Sequence, residues 1–177
     1  MKRFSYLLII MVTCISCDYS FDLNNPDVKE FVFRVKNNSY DIYEISETGE
    51  KLWLIMPDFT ANDIPDLLKY ASDMASISDF PTNPISSIPP YHNEDGTLIL
   101  GECLLWTIEG IRIDSKYGSL TPILLKNRSN DPSIPSEYLD KEEILLVKAI
   151  YDQWWVDNKN SNWKVIDPLE GTIYTWR

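Results

Sequence analysis

Histidine is almost absent from these 177 residues. His92 is the only one, in the loop Pro89-Pro90-Tyr91-His92-Asn93-Glu94-Asp95-Gly96. A zinc site built on paired imidazoles is therefore excluded, and any Ser-His-Asp or Cys-His device would have to draw on that one loop residue. No Gly-x-Ser-x-Gly elbow is present to meet it. There is no Asp-x-Asp-x-Asn-Gly calcium loop either, so Asn93-Glu94-Asp95-Gly96 reads as a plain tight turn and His92 as a turn residue. Neither a metal nor a cofactor is expected. Basic charge is also short: 16 Lys and Arg stand against 27 Asp and Glu, a formal net charge of -11. So acidic a body repels phosphates, which excludes nucleic acid as a partner and otherwise serves solubility. No apolar run reaches the roughly 20 residues that a membrane-spanning helix needs.

Cysteine is scarce and its placement is informative. Cys14 and Cys17 lie at the end of an N-terminal apolar stretch, and Cys103 stands alone in the body of the chain. No disulfide is expected within the folded part, so packing has to hold it. The 44% hydrophobic content is enough for one domain with a sizeable core. Cys103 sits in Leu100-Gly101-Glu102-Cys103-Leu104-Leu105-Trp106 with no basic neighbour, which suits a buried, inert thiol.

The first residues carry an address. Lys2 and Arg3 precede an apolar run over residues 4–15, followed by Ser16-Cys17-Asp18. A basic start, a short apolar run and a small residue before the cut form a secretory signal peptide. Cys14-Ile15-Ser16 ahead of Cys17 resembles a lipobox, departing from it in having Cys14 where Leu is usual. The expected organisation is a signal peptide at 1–16, a lipidated tether at 17–25 and a single globular domain at 26–177. Two other cuts stay open: lipid on Cys14, behind the bulkier Thr13, and ordinary cleavage near Ser16. Two or three acyl chains, at roughly 0.8 kcal/mol per buried CH2, anchor a protein effectively for good.

Helical patterning dominates the rest. Asn25-Pro26-Asp27 opens a first helix with Asn25 as N-cap and Pro26 at its first position, and Val28, Phe31, Val32 and Val35 form its stripe. Residues 40–45 and 52–56 flank a turn at 46–50 and predict a β-hairpin. Thr60-Ala61-Asn62-Asp63 is a capping box before the stripe Ile64, Leu67, Leu68, Ala71 and Met74, with Pro65 harmless in the first turn. Residues 79–96 hold Pro81, Pro84, Pro89 and Pro90 and read as a long loop. A third helix over 97–114 is apolar nearly all round, which predicts a central, buried position. Residues 118–136 are loop-like around a short apolar Ile123-Leu124-Leu125. Asp140-Lys141-Glu142-Glu143 caps the strongest helix, with Ile144, Val147, Tyr151, Trp154 and Trp155 on one side and Lys148 with Asp152 on the other. The tail, residues 162–177, is too rich in Trp163, Leu169, Tyr174 and Trp176 to be free, and the Tyr151, Trp154 and Trp155 face is its nearest partner. The expected fold is mainly α: a compact single domain of about four helices with a small β-hairpin and long Pro-rich loops.

Three charges interrupt the apolar third helix. Glu102 and Glu109 share one face, about 10.5 Å apart along the axis, and Arg112 lies within reach of Glu109. Two carboxylates so placed suit acid/base chemistry such as glycoside hydrolysis. The reading we favour is a structural network in which Arg112 bridges carboxylates and the loop Asn83 to Ser87. Trp154-Trp155 invites sugar stacking, but core packing is the commoner use of such rings.

Several phrases point beyond pattern. Pro57-Asp58-Phe59-Thr60, Phe80-Pro81-Thr82-Asn83-Pro84-Ile85-Ser86-Ser87 and, most distinctively, Leu100-Gly101-Glu102-Cys103-Leu104-Leu105-Trp106-Thr107-Ile108-Glu109-Gly110-Ile111-Arg112 resemble an uncharacterised family of Bacteroidetes lipoproteins, a domain of unknown function. The resemblance implies a signal peptide, a lipid anchor and a largely helical body, and supplies no activity. The expected function is a lipid-anchored envelope lipoprotein with a non-enzymatic binding or interaction domain. The alternative is a small hydrolase or lyase using Glu102 and Glu109. Expected partners are the membrane, through lipid on Cys17, and an envelope protein or glycan. The membrane and its face stay open: outer membrane, periplasmic or surface side, or inner membrane.

Overall fold

The computed structural model describes residues 21–91, 96–127 and 136–177. Cys14, Cys17, His92 and the Asn93-Glu94-Asp95 turn lie outside the described residues. Among the described residues the fold is a mixed small domain, not the mainly α one that the stripes predict. Four α-helices stand beside seven short strands in three small antiparallel sheets. Strands of two to four residues are too short to carry a period-2 pattern that sequence reading could detect.

Helix α1, Val28–Lys36, is capped by Asp27, whose carboxylate accepts from the Glu30 N–H at 2.7 Å, so Pro26 precedes the cap and does not open the helix. Its stripe of Val28, Phe31, Val32 and Val35 is buried as the spacing requires. Strands β1, Tyr43–Ile45, and β2, Lys51–Leu54, form the expected hairpin. Thr60 and Asp63 make the expected capping box around a 3-10 turn that runs into α2, Ile64–Tyr70.

Strand β3, Ser76–Ile77, pairs with β4, Leu98–Ile99, and so closes the base of the proline-rich connection. Helix α3, Leu100–Arg112, follows β4 directly and starts later than its apolar run. No side chain caps it. Carbonyls from the chain after α2 do so instead, with Leu100 N–H donating to Ala75 at 3.0 Å and Gly101 N–H to Asp73 at 2.9 Å. That close approach needs glycine: a Cβ on Gly101 would stand 2.4 Å from the Ala71 carbonyl oxygen. From Leu100 to Gly110 every residue of α3 is buried, which makes it the axis of the core.

The third sheet has the order β6-β5-β7, with β5 at Leu124–Lys126, β6 at Glu137–Tyr138 and β7 at Tyr174–Trp176. Between β6 and β7 runs α4, Lys141–Asn158, opened by the expected capping box of Asp140 and Glu143. The tail is thus docked as a sheet strand, with Leu124 opposite Trp176 and Lys126 opposite Tyr174. At the other end Phe21, within the stretch read as tether, packs its ring 5.6 Å from Tyr40 and 6.2 Å from Phe31. No described helix is long and apolar enough to cross a membrane.

Candidate functional site

The two glutamates of α3 end in different places. Glu102 is fully buried, and its Oε1 accepts the backbone N–H of Leu124 at 2.5 Å, pinning β5 to the central helix. Glu109 meets Arg112 in a two-pronged pair, Nη2 to Oε1 at 2.5 Å and Nε to Oε2 at 2.9 Å. The third arm of Arg112, Nη1, donates to the Lys164 carbonyl at 3.0 Å. Oε2 of Glu109 also accepts from the Tyr151 hydroxyl at 3.1 Å, and that hydroxyl accepts from the Trp176 indole N–H at 2.9 Å. One polar chain therefore ties α3, α4, β7 and the turn at Trp163–Val165.

The i,i+3 pair is as the spacing predicts, but the wider bridge is not. Arg112 reaches Lys164, whereas Asn83 of the proline-rich loop donates to the Ser119 carbonyl at 3.2 Å. The carboxylate that shares a surface hollow with Glu109 is Asp167, beside Tyr174 and Trp176 around about 350 Å3. Both Glu109 oxygens there are already engaged by Arg112, which suits holding a fold together better than moving a proton. Hydrogen bonding to Glu109, more than burial, sets the guanidinium of Arg112, whose pKa lies above its ordinary value. Burial, then the Glu109 charge, pushes the Tyr151 hydroxyl well up.

Cys103 is a buried, free thiol, and burial followed by the Glu102 charge raises its pKa well above the ordinary value. That is the state of a packing residue and not of a nucleophile. Trp154 is buried, with its indole N–H donating to the Ile166 carbonyl at 2.9 Å. Trp154 and half-buried Trp155 both pack edge to face on Trp163, at 6.0 and 5.7 Å, so the pair forms no open ledge. Among the described residues no group of three or more His, Cys, Asp or Glu side chains is placed to hold a metal ion.

Another hollow has a more varied lining. A cleft of about 430 Å3 opens between the chain from Met56 to Ala61, the end of α3 at Thr107 and Ile111, the turn Asp114-Ser115-Lys116, and Trp163 with Lys164. Phe59 and Trp163 are half-buried along it. Two ion pairs cross its rim: Lys116 with Asp58 at 2.8 Å, and Lys164 with Asp114. Both are solvent-exposed, and such pairs contribute only about 0–1 kcal/mol to stability. Sequence reasoning missed this site because its walls come from segments far apart in the chain. One local sign was available: Asp114 follows the last turn of α3, where glycine is the common choice.

The family described as a domain of unknown function, DUF4943, matches residues 22–177. No curated protein and no solved structure matches the chain.

Proposed function

The chain belongs to the DUF4943 family, and from that premise we propose an exported lipoprotein, of the Bacteroidetes type, held in the cell envelope by lipid on Cys17. Its domain binds an envelope ligand or partner and does no chemistry of its own. The observation that carries this reading is the fate of the α3 charges. Glu102 is sealed inside, and Glu109 is clamped by Arg112 and Tyr151, so the pair on which a hydrolase or lyase would rest is not presented to a substrate. The cleft beside Phe59 and Trp163 is the better-placed receptor surface, within the 300–1,000 Å3 range of about single-ligand sites.

Lipid on Cys17 would leave only a short link to the membrane. Phe21 is already packed, and the four residue steps from Cys17 to Phe21 span at most about 14 Å. The folded body would then sit close to the lipid surface. Mass spectrometry of membrane-extracted protein tests the anchor: the N-terminal residue is expected to be an acylated Cys17, and Cys17→Ala should release the protein from the membrane fraction. A lipidated Cys14, or an unmodified N-terminus near residue 17, overturns it.

A further inference from the structure

We infer that the cleft between Phe59 and Trp163 is a saccharide-binding site whose rim charges hydrogen-bond sugar hydroxyls. The inference rests on the binding-domain reading above and names the ligand class of that same cleft. Two features of the lining select the class. Phe59, Ile111 and the half-buried Trp163 give the cleft apolar and aromatic wall, which suits the C–H face of a pyranose ring. The rim is charged but balanced: Asp58 with Lys116 and Asp114 with Lys164 supply acceptors and donors in equal measure. A ligand of one sign would be drawn to one member of each pair and repelled by the other, and an anion would also face a chain of net charge -11. Hydroxyls both donate and accept, so a neutral polyhydroxylated ligand can use all four side chains.

Asp114 stands at the mouth of the cleft. Its φ is +55°, a left-handed conformation, in the turn that ends α3, where the Ser115 N–H returns to the Gly110 carbonyl at 2.9 Å. Glycine occupies that position without strain. Aspartate, with asparagine, is the other residue type that enters this conformation, and its 73% exposed side chain gains little from pairing with Lys164 in water. That carboxylate, held by Lys164 on one side, is open at the cleft mouth to a ligand hydroxyl. Lys164, 5.6 Å from the Trp163 ring centroid, ties that carboxylate to the aromatic wall.

The test titrates full-length protein, kept in a sugar-free detergent, with neutral gluco-, xylo-, manno- and chito-oligosaccharides and follows tryptophan fluorescence and heat. At least one class is expected to bind with a roughly millimolar or tighter dissociation constant. Asp114→Gly should hold or raise the melting temperature while weakening that binding by about ten-fold or more, and Asp58→Asn should weaken it as well. Saturation by none of the four classes overturns the proposal and leaves the anchored, non-catalytic reading standing. Binding that neither variant alters places the site elsewhere and also overturns it. Release of new reducing ends would uphold the ligand class and overturn the non-catalytic reading instead.

Discussion

The indole N–H of Trp176 donates to the hydroxyl of Tyr151 across 2.9 Å, joining the last strand of the chain to the inner face of α4. Tyr151 passes the connection on to Glu109, so β7 completes a polar network that begins on the central helix. Burial of the phenol, with Glu109 beside it, keeps Tyr151 protonated and therefore a donor at any ordinary pH. The tail is part of the core machinery of this domain and not an appendage to it.

Arg112 is the cation on which that network depends. Its side chain is 11% exposed and that of Glu109 only 7%, so Arg112→Ala strands a nearly buried carboxylate. Such losses cost about 3–5 kcal/mol. At about 2–4 °C per kcal/mol for a domain of this size, the thermal midpoint is expected to fall by roughly 6–20 °C. Arg112→Lys should recover part of the loss, because it keeps the charge but not the fork. Thermal melts followed by circular dichroism measure both. A normal melt for Arg112→Ala would remove the structural role.

Glu102 should behave as a hydrogen-bond acceptor for the backbone. Glu102→Ala leaves the Leu124 N–H buried without that partner, a cost of about 1–3 kcal/mol before any cavity is counted. Glu102→Gln keeps an acceptor oxygen at the same reach and is expected to unfold at a higher denaturant midpoint than the alanine variant. Equal midpoints would show that the charge, and not the contact to Leu124, is what matters.

Gly101→Ala should destabilise, against the usual rule for helices. Alanine is favoured over glycine in a helix interior by about 0.8–1.0 kcal/mol. Here the added Cβ would meet the backbone of Ala71 at 2.4 Å, which a side-chain rotation cannot relieve. Overpacking of this kind typically costs about 1–3 kcal/mol. Chemical denaturation is expected to show a lower midpoint, and a higher one would mean that α2 and α3 slide apart without penalty.

Asp73 links stability to acid pH. Its carboxylate accepts from Lys36 at 2.6 Å, and that bond holds its pKa below the ordinary 3.8. A depressed carboxylate stabilises the fold above its unfolded pKa, and the contribution is lost as pH falls through the folded one. Asp73→Asn should therefore unfold more readily than wild type at neutral pH. The difference should close once the pH drops below the depressed value. Urea titrations across that window measure it, and a gap of constant size at every pH would contradict the linkage.

Much of this was written locally, and the rest was not. The boxes at Thr60 with Asp63 and at Asp140 with Glu143 form as read, because a cap involves residues three apart on one chain segment. Two readings failed for a shared reason. Asn25 was the more familiar N-cap, yet Asp27 holds the position once the packing of Phe31 and Val35 sets the helix register. Leu98 and Ile99 share the apolar character of α3, but they lie opposite Ile77 and Ser76 respectively, in a strand pair that no local pattern announces.

By itself the sequence determined three apolar helical stripes, the buried place of the all-round apolar α3, the Glu109 and Arg112 pair and the need to dock an aromatic tail. Each of these follows from composition or from side chains within one or two turns of one another. Only the tertiary structure decided that β5, β6 and β7 join in one sheet, that Glu102 serves the Leu124 amide, and that Arg112 reaches Lys164. Those contacts span 22 and 52 residues of chain. Periodicity says which face of an element is apolar, but the packing of all elements together decides which distant backbone groups a buried charge will meet. The cleft at Phe59 and Trp163 belongs to the same class, since three separate stretches of chain have to converge before it exists.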